Sequence, residues 1–202
     1  MKKNLIFALA IGFLGITSNV SFAGLIDVSK IVITPSNLNT SGWLQVSEVI
    51  ATATGTGNDL ALLSVGATTA ASSNWSGSSS NNAIDGVSPA AFPSIFHSNE
   101  NNGTSFLNIF LASPSELDSI ELFGRTDCCW ARDIYDVDLF DVQGSLLYSA
   151  SDLNATGGTH SVKIELPNTA VNVPEPSSIA LLAMGLIGFG FARKKSNCNL
   201  NN

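Results

Sequence analysis

Between residues 24 and 172 the apolar positions come in short runs or every second residue, and no stretch keeps the three-to-four spacing of a long amphipathic helix. Trp43 to Thr52 (WLQVSEVIAT) and Leu60 to Val65 read as strands. Ser105 to Leu111 (SFLNIFL) is almost wholly apolar, as a sandwich-core strand would be, and Leu117 to Phe123 follows it. From Ile134 to Val142, Tyr135, Val137 and Leu139 alternate with Asp136 and Asp138, the pattern of a half-buried strand. Gln143-Gly144 turns the chain into Leu146-Leu147-Tyr148, and Val162, Ile164 and Leu166 alternate with Lys163 and Glu165 in a last strand. The Ser/Asn-rich segment Ala70 to Asn82 is short and bounded by strands, so it is assigned as a loop. Roughly seven or eight strands with turn-rich connections predict an all-β fold, a β-sandwich of jelly-roll type.

The two ends follow other rules. Met1-Lys2-Lys3, the apolar run Leu5 to Ile16 and the small residues Ser21 and Ala23 before Gly24 form a secretory signal peptide over residues 1–23. At the other end, Pro174-Glu175-Pro176 is followed by the apolar segment Ile179 to Ala192 and then by Arg193-Lys194-Lys195. This three-part order, over residues 173–196 with a tail at 197–202, resembles the PEP-CTERM sorting signal of Gram-negative bacteria. The resemblance implies export and transient membrane anchoring through the C-terminal helix, basic cluster on the cytoplasmic side. Processing near the Pro-Glu-Pro by an exosortase-type membrane protease would follow. The basic cluster agrees with the positive-inside bias. The plain alternative is an ordinary anchor helix, for which the apolar run is short against the ~20 residues of a bilayer span.

Charge narrows the interior further. Between the two basic ends lie all sixteen acids and only four cations, Lys30, Arg125, Arg132 and Lys163, a net charge of −12. Such a surface argues against nucleic-acid binding, which needs a basic face, and leaves carboxylates available for calcium. Two of the four cations bracket one short stretch, Arg125-Thr126-Asp127-Cys128-Cys129-Trp130-Ala131-Arg132. Paired guanidinium forks beside a cysteine pair suit a neutral polyhydroxy ligand, and a sugar is the first candidate. Once Cys198 is discarded with the tail, Cys128 and Cys129 pair with each other or with another molecule, or remain two small buried thiols. The arginines have a plain alternative too, as solvated partners of Asp133 and Asp136.

Taken together, Asn81 to Gly86 (NNAIDG), His97 and the R-x-D-C-C-x-x-R run resemble an F-type lectin, or fucolectin, of the discoidin-like, galactose-binding sandwich fold. His97 stands one residue farther upstream than the family spacing, which an extra residue around Asn101 to Thr104 would absorb. The resemblance implies that His97, Arg125 and Arg132 hydrogen-bond a fucose-like sugar and that Asp127 orients one of the arginines. It implies a vicinal disulfide, Cys128–Cys129, pressing an apolar face of the sugar, and an aromatic, Phe92 before Phe96, covering a methyl group. Trp130 departs from the pattern, as an added platform or as core. The resemblance also implies a calcium ion held by Asn82, Asp85, Val87 and Ser94. The family's closing strand is missing after Leu166, but Trp43 to Ala51 resembles it. A circular permutation would let Ser47 and Glu48 complete the calcium shell.

No nucleophile elbow, zinc-protease motif or Cys/His cluster occurs, so no enzyme is expected, and His160 reads as a surface residue. The expected partners are a glycan or exopolysaccharide, an exosortase-type protease and, before processing, the membrane. The competing readings are a structural matrix protein of the same fold that binds no sugar and a non-catalytic protein-binding module.

Overall fold

The computed structural model describes residues 25–167; the expected signal peptide, the Pro-Glu-Pro motif, the apolar C-terminal segment and the tail lie outside the described residues. No helix among the described residues is long and apolar enough to cross a membrane. Among the described residues there are nine strands, β1 (Leu25–Pro35), β2 (Gln45–Val46), β3 (Glu48–Ala53), β4 (Thr68–Ala71), β5 (Phe96–His97), β6 (Leu107–Phe123), β7 (Ile134–Phe140), β8 (Leu146–Asn154) and β9 (Ser161–Glu165). They form a mostly-β core with two sheets that resembles a β-sandwich. Seven strands make one sheet, ordered β3-β6-β1-β7-β8 with β4 and β9 also on β6, and β2 pairs with β5 in the other.

Long β6 organises this arrangement. Its first half pairs with β1 and β4, and its second half with β3 and β9. The exchange of partners falls around Ala112-Ser113-Pro114, which is exposed, whereas Leu107, Ile109, Leu117, Ile120 and Leu122 are completely buried. Strands that bend in this way carry a chain from one layer of a sandwich to another. The core is completed by Val28, Ile31 and Ile33 of β1, Val49 and Ala51 of β3, and Tyr135, Val137 and Leu139 of β7, all fully buried. Each large aliphatic chain so buried contributes about 1.5–3 kcal/mol.

Four expectations change. Trp43 to Thr52 is not one strand: β2 pairs with β5 and β3 with β6, in different sheets. Leu60 to Val65 is not a strand. The Asp59 carboxylate accepts from Ala51 N and Ala61 N at 2.9 Å each, and this local capture turns the chain into a 3-10 turn at Leu63–Val65 that ends on Gly66 at φ 98°. The expected strands at Ser105 to Leu111 and Leu117 to Phe123 are one strand, β6, which begins at Leu107 and runs on through the polar Ser-Pro-Ser step. Within the expected loop Ala70 to Asn82, residues 70 and 71 belong to β4, and a 3-10 turn begins at Ser80.

Candidate functional site

Three segments distant in sequence meet at one end of β2 and β5. Gln45 of β2 faces His97 of β5 in register, and the loop from Gly124 to Asp133 folds over them. That loop is fixed from beneath by buried polar groups. Asp133, fully buried, accepts from Gln45 Nε2 at 2.8 Å, from Tyr135 Oη at 3.3 Å and from Arg125 N at 3.1 Å. Gln45 Nε2 also donates to the Cys129 carbonyl at 3.1 Å. Burial pushes the Asp133 carboxyl up to about 7 despite these donors. Gly124 is required by proximity, since a Cβ there would lie 2.5 Å from Asp133 Oδ2.

Asn39, 5 % exposed, ties the loop to the strand that enters β2. Its amide donates to the Trp43 carbonyl at 2.8 Å and to the Arg132 carbonyl at 2.9 Å. Its Oδ1 accepts from Ser41 N and Ser41 Oγ. All its hydrogen-bonding capacity is thereby used to hold two pocket residues side by side.

Above this floor lies an open cavity of about 270 Å³ lined by Trp43, Trp75, Phe92, His97, Arg125 and Arg132. His97 is 5 % exposed, with its ring 5.3 Å from Trp43 and 5.5 Å from Trp75. Its Nδ1 lies 2.7 Å from the Ser98 carbonyl, which can only accept, so Nδ1 carries the proton. Nε2 is then an acceptor, and Arg132 Nη1 donates to it at 3.2 Å. Burial and the neighbouring Arg132 and Arg125 push the His97 pKa down, so the ring is neutral. Arg125 grips Asp127 with two bonds, Nε to Oδ1 at 2.5 Å and Nη2 to Oδ2 at 2.7 Å, and stands 5.5 Å from the Phe92 ring. This grip holds the Asp127 carboxyl down at about 2. Arg132 stands 5.6 Å from the Trp43 ring, and burial followed by repulsion from Arg125 lowers its pKa.

Of the residues singled out in the sequence, Phe92, His97, Arg125 and Arg132 thus share one cavity, and Asp127 orients Arg125, not Arg132. Cys128 and Cys129 are bridged to each other, with Cα atoms 3.8 Å apart, in the loop between the arginines. Cys129 sits at φ 65° and caps the 3-10 turn Trp130–Arg132 that carries Arg132. Phe96 is core, and Trp130 is half exposed beside the His160 ring at 5.8 Å, outside the cavity lining. Neither Asp133 nor Asp136 makes an ion pair with the arginines: Asp133 accepts from the Arg125 backbone, and Asp136 accepts from Asp152 N. His160 is partly buried in a turn ahead of β9. Asn39, Trp43, Gln45 and Trp75 went unassigned to the site in the sequence. The one available signal was Trp75, a large apolar residue alone in a Ser/Asn-rich loop.

In the second group, Glu48 meets the loop at Gly86. Glu48, 1 % exposed, receives Gly86 N at 3.2 Å on Oε2, while its Oε1 is buried without a partner. Burial, and then the negative charge of Asp85, pushes its carboxyl up to about 8. Ser47 Oγ accepts from Ala90 N at 2.6 Å, and Asp85 Oδ1 accepts from Val87 N at 2.9 Å. Asn82 donates to the carbonyls of Pro93 and Ile95, and Ser94 N to that of Ala91. Among the described residues no three His, Cys, Asp or Glu side chains cluster as a metal site. A buried carboxylate with an unpartnered oxygen next to a second carboxylate nevertheless fits a hard cation that completes its shell with carbonyl and hydroxyl oxygens.

Comparison with known families gives one match: residues 172–194 match the PEP-CTERM protein-sorting motif. Comparison with curated proteins and with solved structures gives no match. The chain is therefore an exported protein carrying a PEP-CTERM address to the Gram-negative cell envelope or surface, with processing by an exosortase-type membrane system.

Proposed function

We propose that this exported protein is a non-catalytic carbohydrate-binding protein of the cell surface or matrix, a fucose-type lectin that holds one terminal sugar. The observation that carries the reading is the meeting of His97, Arg125 and Arg132 in one cavity whose walls are Trp43, Trp75 and Phe92. Sugars need both kinds of contact. Their hydroxyl oxygens accept from the guanidinium forks, and their C–H faces pack on aromatic rings. The cavity has room for about one sugar ring, smaller than a typical drug-sized site.

On the same reading the fold is a jelly-roll whose closing strand has moved to the front of the chain. Pairing of β3 with the second half of β6, which also pairs with β9, supports that order. Ser47, Glu48, Asn82, Asp85, Val87 and Ser94 would hold a calcium ion, which supplies positive charge to two neighbouring carboxylates. These residues tie the loop before β5 to β3, and Phe92 stands on that loop.

A glycan array probed with the full chain, with and without chelator, tests the proposal. The expected result is binding of fucose- or galactose-type glycans, weakened by chelation and reduced at least about tenfold by Arg125→Ala or Arg132→Ala in folded protein. A folded protein that binds no glycan overturns it and leaves a structural matrix protein of the same fold.

A further inference from the structure

The charges in the cavity do not balance, and the imbalance says more about the ligand. Of the four cations among the described residues, Lys163 is paired with Glu165 at 2.7 Å and Arg125 with Asp127. Lys30 lies away from the cavity, its ammonium 4.3 Å from the Phe140 ring. Arg132 is part-buried in the cavity and makes no ion pair with any described residue. Its contacts are a neutral imidazole and an indole ring. The neighbouring carboxylate, Asp133, is completely buried, and its oxygens are occupied by Gln45, Tyr135 and the Arg125 backbone. The lining therefore presents one uncompensated positive charge between aromatic walls, where water screens it less than on an open surface.

Resting on the sugar-binding reading above, we infer that the preferred ligand is an acidic sugar, a uronate whose carboxylate meets Arg132. A neutral sugar satisfies the hydrogen bonds of the guanidinium but leaves its charge unanswered. A carboxylate does both, because its two oxygens match two parallel N–H donors. Arg132 holds His97 Nε2 through Nη1 alone, so its other donors are available to a ligand. The acidic exterior does not forbid this contact. At physiological salt, charges more than about 8 Å away are largely screened, whereas a contact pair in a part-buried cavity is screened much less.

Trp43 and Trp75 line the cavity, so tryptophan fluorescence of the full chain reports occupancy. The probes are methyl galacturonoside, methyl galactoside and methyl fucoside. The expected result is that the galacturonoside binds about tenfold more tightly than the galactoside, and that Arg132→Gln removes the preference. In unaltered protein, raising the salt concentration narrows the gap while leaving the neutral glycosides unchanged, a readout independent of whether R132Q folds. Binding of neutral glycosides without a uronate preference, or a preference that persists in R132Q, overturns this inference and leaves the lectin reading standing. No response to any of the three, with the array also blank, overturns the lectin reading itself.

Discussion

Asn39 holds the carbonyls of Trp43 and Arg132 with its two amide hydrogens and has no spare donor for water. Asn39→Ala leaves both carbonyls and the Ser41 donors without that partner. We expect a loss of roughly 1–3 kcal/mol in denaturant unfolding, with sugar affinity falling in protein that still folds. Glu48 is one residue through which pH acts. Its carboxyl is raised from 4.5 to about 8, so the folded chain holds a proton that the unfolded chain has released over that window. Its contribution to stability therefore falls as pH rises from about 5 to 8, while His97, whose pKa is lowered on folding, acts with the opposite sign below about 6.5. Asp133, raised to about 7, acts with the same sign as Glu48 over the lower part of the window. Melting temperatures in chelator are expected to decline across this range. Calcium is expected to flatten the decline by favouring ionised Glu48. Glu48→Gln is expected to abolish the calcium response and leave a smaller slope set by Asp133 and Asp59 against the opposing contribution of His97.

At the scale of elements, the junction between β6 and the arginine loop is tightly packed. Gly124→Ala would place a Cβ 2.5 Å from Asp133 Oδ2. Overpacking of this kind costs about 1–3 kcal/mol, and here it also pushes on the group that holds Arg125 N. A lower denaturation midpoint together with weaker sugar binding is the expected outcome. Strands with unbroken alternation, such as β7, were legible in sequence. β1 was assigned no element, although it lies between β6 and β7, because register shifts at Leu25/Val28 and Val28/Lys30 break its alternation. A bulge moves buried side chains off the two-residue period, so Leu25, Val28, Ile31 and Ile33 do not read as one face. The two-residue strands β2 and β5 are too short to carry any period, yet they place His97.

For the whole molecule, the sorting address and the site complement each other. A single shallow site binds weakly, and display of many copies at a surface raises the effective affinity without new contacts. Replacing Pro174, Glu175 and Pro176 together by Ala is expected to block processing. The unprocessed chain would then accumulate in the membrane fraction, which fractionation and intact mass detect. Glycan binding by that chain is expected to be unchanged, since the cavity is built wholly from residues between Trp43 and Arg132.

Local order along the chain carried the export signals, the acidic interior, most of the strands and the pairing of two arginines with an Asp-Cys-Cys step. These features depend on neighbours in sequence, on period and on charge count, which need no fold to be read. Convergence decided the rest. Trp43 and Trp75 became walls of the cavity, Asn39 and Gln45 its supports, and Arg132 its unneutralised charge because three distant segments meet there. A side chain's electrostatic partner is set by distance in space, and in a β-fold the decisive distances run across strands.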